Sequence, residues 1–193
     1  LFAMNPRDFI DLETVNDQFT LVMREGSLVS CVRIDGSAKT VLHDEVVTIL
    51  DAMETKLTAY MTDGCHYFSF FFSADQAGVA AEIDDIYTHS ALKTTHDIGL
   101  DWDDLIYEQR DVMLPYCQKE RAYLLVWTNI HGLSKEEKQQ IQVAKATQRK
   151  GLPLQSSVQS AGMGVSAYVQ KHHSLINSVV EDMRNVGLAC DLM

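Results

Sequence analysis

No apolar run in this chain approaches the ~18 residues that a membrane-crossing helix needs. The most apolar stretch, Tyr67 to Phe72, has the length of a strand. No secretory leader is legible either, because the opening LFAMNPRDF has neither a basic n-region nor an apolar h-region. Cysteine is sparse: Cys31, Cys65, Cys117 and Cys190 lie dozens of residues apart, with no CxxC pair. That spacing excludes the common redox and zinc patterns. It suits a reducing compartment in which the four thiols act as small buried hydrophobes. Clustered Lys and Arg are lacking too. With 16 basic and 27 acidic residues the net charge is −11, which argues against a nucleic-acid partner, since phosphate contacts need basic clusters.

The chemical motifs are equally thin. A phosphate-binding loop needs G-x-x-x-x-G-K-[ST], and here no Gly precedes a Lys and no two Gly are five apart. ATP chemistry is therefore not expected from residues 1–193. Gly162-Met163-Gly164-Val165-Ser166-Ala167 matches G-x-G-x-x-A ahead of a helix. The dinucleotide fingerprint also requires a strand directly before it and an acid at the end of the next strand, and neither is legible. A hinge before a helix is the better reading. No G-x-S-x-G elbow occurs, since Ser166 lacks the second Gly. A Cys–His pair assembled in three dimensions stays open. His89, His96, Asp101, Asp103 and Asp104 are metal-ligand types gathered in one polar stretch, but they match no EF-hand or HExxH spacing. His172 and His173 are adjacent on a helix, so their side chains diverge by about 100°. His172 falls on the apolar stripe with Tyr168 and Ile176 and reads as a packed histidine.

What is present is an α/β pattern. Gln18 to Ser37 reads as two strands, Phe19–Arg24 and Leu28–Ile34, folded at Glu25-Gly26. Residues up to about Asn16 read as a connecting arm. Apolar residues at Val46, Ile49, Leu50, Met53, Leu57, Tyr60 and Met61 then predict an amphipathic helix. Its first turn carries Asp44 and Glu45, where the helix dipole favours negative charge. Asp63-Gly64 ends it. Tyr67–Ser73 reads as a strand covered on both faces. Helices follow around 79–87 and 102–113, the second stopped by Pro115, with THSALKTTHDIGLDWDD between them as a polar connection. Tyr123–Thr128 predicts a central strand. Ser134 and Glu137 form a capping box for an exposed polar helix running to Lys150. Residues 151–164 read as a flexible loop. A last helix from Val165 to Met183 has Gly187 at its C′ position and leads into a strand at 188–190.

The expected fold is thus α/β (α+β): a mixed sheet opened by an antiparallel hairpin, flanked by helices, with helical segments inserted. The chain reads as one domain, with residues 17–130 as the α/β core and 131–193 as a helical extension. Charge is uneven. Residues 1–104 hold 19 acids and 6 bases, a net −13, whereas residues 105–193 hold 8 acids and 10 bases, a net +2. Such a split suits stacking with further copies or a basic partner, or simply a solvated acidic face.

Several stretches carry a family resemblance. The hairpin LVMREGSLVSCVRIDG, the aromatic strand HYFSFFF after a long helix, the segment DVMLPYCQKERAYLLVWT and the end VVEDMRNVGLACDLM resemble the N-terminal domain of the VirB/TraC/TrbE secretion ATPases. The wording is most similar to the Dot/Icm type IVB branch. The resemblance covers most of the chain and implies a piece of a longer protein, since the chain starts without Met and stops as a strand begins. It implies a bacterial parent that is cytoplasmic and peripheral to the inner membrane, with ATP and Mg held by a C-terminal ATPase domain outside these residues. This segment would hold no cofactor and no metal and would perform no catalysis. It would associate with itself as a dimer or hexameric ring, and dock the inner-membrane secretion complex and a second secretion ATPase for effector export. The acidic positions Asp44, Glu45, Asp84 and Asp85 are the expected contact residues. The other reading is a stand-alone small-molecule-sensing or regulatory α/β module.

Overall fold

The computed structural model describes residues 11–37, 39–62, 64–149 and 164–193. Residues 151–163 of the predicted loop 151–164, and the part of the predicted arm before residue 11, lie outside them. The chain divides into two compact units, one formed by Leu1–Phe71 with Tyr123–Met193 and the other by Phe72–Ala122. Residues 131–193 therefore belong to the same unit as the opening strands.

The first unit is built on a sheet. The strands are β1 (Leu12–Asp17), β2 (Thr20–Met23), β3 (Leu28–Ser37), β4 (His66–Asp75), β5 (Lys119–Thr128) and β6 (Leu188–Leu192). Their order is β1-β2-β3-β5-β4, with β6 also paired to β3. The β1–β2, β2–β3 and β3–β6 pairings are antiparallel. β2 takes the start of β3, at Leu28 and Val29, and β6 takes its far half, from Val32 to Ser37. At the β4–β5 seam Asn129 donates to the Cys65 carbonyl at 2.7 Å and Tyr67 stacks on Trp127 at 5.1 Å, which is again an antiparallel sense. The segment read as a connecting arm is in part a strand. Its alternation is hidden because no β1 residue is fully buried, so burial leaves little periodic trace.

The predicted hairpin turn forms as expected. Gly26 donates to Met23 and Met23 to Ser27, both at 2.8 Å. Gly26 has φ of 100°, a conformation that closes a three-residue hairpin loop and that side chains with a Cβ avoid.

Helix α1 (His43–Tyr60) and a long C-terminal helix, Val169–Asn185, flank the sheet. The latter buries Leu175, Ile176, Val179, Val180 and Met183 against Val32, Leu124 and Val126 of the sheet and Leu57 of α1. Gly187, with φ of 94°, follows its end as expected. A second cluster joins Val22, Leu28, Cys65, Leu133, Ile141, Val165 and Tyr168. The Ser134–Glu137 capping box is present: Glu137 accepts from the Ser134 amide at 2.7 Å and donates its own amide to Ser134 Oγ at 3.2 Å.

The second unit is helical. It contains α2 (Val79–Ile83), a π-helical turn (Asp84–Thr88), α3 (His89–Asp97) and α4 (Asp103–Met113), closed by a 3₁₀ turn at Leu114–Tyr116 around Pro115. The polar stretch read as a connection is therefore helical through Asp97. Its residues lack an apolar stripe because only Thr95 of α3 is buried. The helix after α4 is α5 (Lys135–Arg149), and the C-terminal helix Val169–Asn185 is α6. The architecture is α+β, with helices inserted between two sheet strands.

Candidate functional site: a sealed polar relay and exposed apolar faces

The most connected polar cluster lies inside the first unit. Strand β3 carries Ser30, β5 ends on Thr128, β4 begins at His66 and α6 supplies His172. Ser30, Thr128 and His172 are completely buried. Ser30 Oγ donates to the Phe19 carbonyl at 2.6 Å, so it can only accept from His172 Nε2, 3.1 Å away. His172 Nδ1 then accepts from Thr128 Oγ1 at 2.8 Å, and Thr128 accepts from His66 Nδ1 at 3.2 Å. One proton arrangement satisfies every member, running from His66 through Thr128 and His172 to Ser30 and the Phe19 carbonyl. Burial, then the neighbouring His173 and His66, push the His172 pKa down to about 4. The imidazole is therefore neutral at pH 7, as the relay requires.

A second pair stands beside it on the next α6 residue. His173 Nε2 lies 3.0 Å from Asp17 Oδ2 and 3.2 Å from Thr20 Oγ1. Burial pushes the Asp17 carboxyl up, but the Phe19 amide, Asn16, Thr20 and His173 outweigh it and hold the pKa at about 2. His172 and His173 indeed diverge, one into the relay and one towards Asp17.

Along α6 the relay separates the two apolar clusters: Tyr168, His172 and Ile176 are four residues apart and fall in cluster, relay and cluster. Its chemistry is that of a register device, since the buried Ser30, His172 and Thr128 each bond two partners within the unit. Sequence reasoning identified His172 as packed but missed Thr20, Ser30, His66 and Thr128. The signal available was a polar residue at an inward strand position, as in Val29-Ser30 and Trp127-Thr128.

The expected contact residues divide between the units. Asp44 and Glu45 start α1, and Glu45 is engaged, accepting from the Leu42 amide at 3.0 Å. Beside them Leu42, Val46, Val47 and Leu50 are exposed, Leu42 by 70% and Leu50 by 51%. The predicted stripe of α1 thus reaches the core only in its second half, through Met53, Leu57 and Tyr60. There Tyr60 donates to Asp182 at 2.6 Å and Lys56 pairs with it at 3.0 Å. Burial and the adjoining Asp182 push the Tyr60 phenol up to about 12.

Asp84 and Asp85 belong to the helical unit. Asp84 takes a bidentate pair from Arg110, at 2.6 and 2.9 Å, which holds its carboxyl below the usual range. Its charge is spent internally. Asp85 is exposed. His96 lies 2.8 Å from Asp103, so two of the five metal-ligand types in the polar stretch pair with each other. Of the four cysteines, all unbridged, Cys65 and Cys190 are buried while Cys31 and Cys117 are only partly so.

No family model matches the chain, and no curated protein aligns with it. Among the described residues no helix is long and apolar enough to cross a membrane.

Proposed function

We propose that the chain is a non-catalytic docking and assembly domain of a VirB/TraC-type secretion ATPase of the Dot/Icm branch. The observation that supports this most is the first half of α1. Leu42 at its cap and Val46, Val47 and Leu50 within it stand exposed next to Asp44 and Glu45, while Ser30, Thr128 and His172 of the same unit are buried and bonded to one another. Exposed apolar side chains grouped on one helix face mark an interaction site. The occupant of this face is a second copy of the chain. The net −13 of residues 1–104 and +2 of residues 105–193 favour head-to-tail contact over like-to-like contact. In this reading the parent supplies ATP and Mg chemistry elsewhere, works at the cytoplasmic face of the inner membrane, and docks a membrane complex and a second ATPase.

Sedimentation of the purified chain tests the reading. Self-association that weakens with salt, and that is lost in Leu50→Ser and reduced in Asp44→Lys, is expected, together with no ATP turnover. A chain that stays monomeric at high concentration and low salt, or that hydrolyses ATP, overturns it. Asp84→Lys is the wrong probe of this surface, because it breaks the pair with Arg110.

A second reading, a small-molecule-responsive module, is favoured by one observation. The helical unit holds a concavity of about 380 Å³ lined by Val79, Ile83, Ile86, Met113 and Cys117. Thermal-shift screening across metabolite classes checks it, since a saturating ligand adds a few kcal/mol.

A further inference from the structure

The helical unit carries a second concavity, a groove of about 470 Å³ between α3 and α4. Its apolar walls are Ile86 from the π-helical turn, Trp102 just before α4, and Leu105 and Ile106 from its first turn. Ile106 is buried, but Ile86 is 74% exposed, Trp102 52% and Leu105 56%. Two hydrogen bonds hold the walls at fixed separation: Tyr87 to Gln109 at 2.6 Å and His96 with Asp103 at 2.8 Å. A π-helical turn in one wall widens the helix where the groove opens, an irregularity that recurs at functional sites.

The unit that carries this groove is acidic overall, with Lys93 of α3 the exposed base nearest the groove in sequence. Residues 72–122 hold 11 acids and 4 bases, a net −7 of the chain's −11. Two of those bases are already paired, Arg110 with Asp84 and Asp111, and Lys119 with Glu82. Asp85, Asp101, Asp104 and Glu108 are exposed and form no ion pair among the described residues. Within α4 helical spacing sets Asp104 and Glu108 in one row beside Leu105 and Gln109 in the next. An acidic rail therefore runs along an apolar trough.

We infer that this groove binds a basic amphipathic helix of a partner protein. The trough takes the apolar anchors that such a helix presents one turn apart, and the rail takes its Lys and Arg. A neutral or acidic helix would leave the rail uncompensated, so charge selects among helices that fit the trough equally. The surface is separate from the α1 face and does not rest on the proposed self-association.

The test uses the full 193-residue chain. The probe is a labelled amphipathic Leu/Lys helix peptide. Its controls are a scrambled peptide of the same composition and an amphipathic Leu/Glu peptide. Anisotropy is expected to show the ordered Leu/Lys peptide binding about tenfold or more tighter than the scrambled one, with no binding of Leu/Glu. Trp102→Ala and Leu105→Ser, both at exposed positions, each weaken binding about tenfold. Asp104→Asn with Glu108→Gln, a surface change that keeps the test open if an apolar variant fails to fold, removes most of its salt dependence. Hydrogen exchange slows on binding at 86–95 and 102–109. Equal binding of ordered and scrambled peptides overturns the inference, leaving only non-specific charge attraction. Unchanged binding by the Trp102, Leu105 and acid-to-amide variants also overturns it, by placing the peptide elsewhere. Sedimentation of the same variants separates this surface from the α1 face: lost peptide binding with intact self-association involves the groove alone.

Discussion

In the unit that carries the sheet, Ser30, Thr128 and His172 are fully buried and bonded in sequence, and the apolar clusters close around them. In Phe72–Ala122 the polar groups that tie the helices, Asp84 with Arg110 and Tyr87 with Gln109, stand part-exposed, while Ile86, Ile98, Trp102, Leu105, Val112 and Tyr116 are exposed. Apart from Thr88 and Thr95, the buried residues there are Val79 and Ile106. One unit closes two apolar clusters around a buried polar relay and leaves apolar area only outside them, as on the first half of α1. The other does much of its internal tying with polar contacts and leaves apolar area for others. The first arrangement gives cooperativity, since each relay member needs its neighbours. The second gives a surface with modest internal stability, the kind of element that opens locally.

The sharpest way to break this contrast is to remove the centre of the relay. His172→Ala leaves Thr128 and Ser30 short of partners and a void between two clusters, and should cost about 4 kcal/mol in urea unfolding. Acid should do part of the same. The folded-state pKa of His172, about 4, lies below its ordinary 6.5, so the unfolded chain binds more protons between these values. Stability from this group is complete above pH 6.5 and is lost as pH falls through 4, by about 3 kcal/mol. A pH series of melts on the parent and on His172→Gln checks it, with the slope over that window reduced in the variant.

Smaller effects sharpen the comparison. A Cβ at Gly132 would clash with the Gly64 carbonyl oxygen and with Cys65 Cα, both backbone, so Gly132→Ala should cost about 2 kcal/mol. Ser134→Ala removes the cap of α5 and should cost about 1 kcal/mol, read from the same unfolding curves. Arg110→Ala should move global unfolding least of all. Its expected signature is faster hydrogen exchange confined to residues 79–113, with the sheet unit unchanged. Exchange that accelerates in both units would mean that they do not open independently.

Local rules made several elements legible. The Gly26 hairpin, the Ser134–Glu137 cap, the Gly187 stop and the apolar stripe of α6 each depend on neighbours within a turn or two, so the chain alone carries the information. Exposed polar elements left no signal, whereas β4, read as covered on both faces, leaves Phe70, Phe71 and Phe72 exposed. β1 and α3 escaped notice because exposed elements need no apolar period. α1 showed the opposite: its stripe predicted a buried face along its whole length, yet only the half from Met53 onward packs.

The sequence by itself determined the α+β class, the scarcity of positive charge and the packed character of His172, because periodicity, composition and spacing are properties of the chain. Only the tertiary structure decided that His172 meets Ser30 and Thr128, that Asp84 is consumed by Arg110, and that Trp102 and Leu105 line an acidic groove. Those partners are 142, 44 and 26 residues apart in the bonded cases. Their meeting depends on which strands pair and how helices cross, which no local pattern encodes.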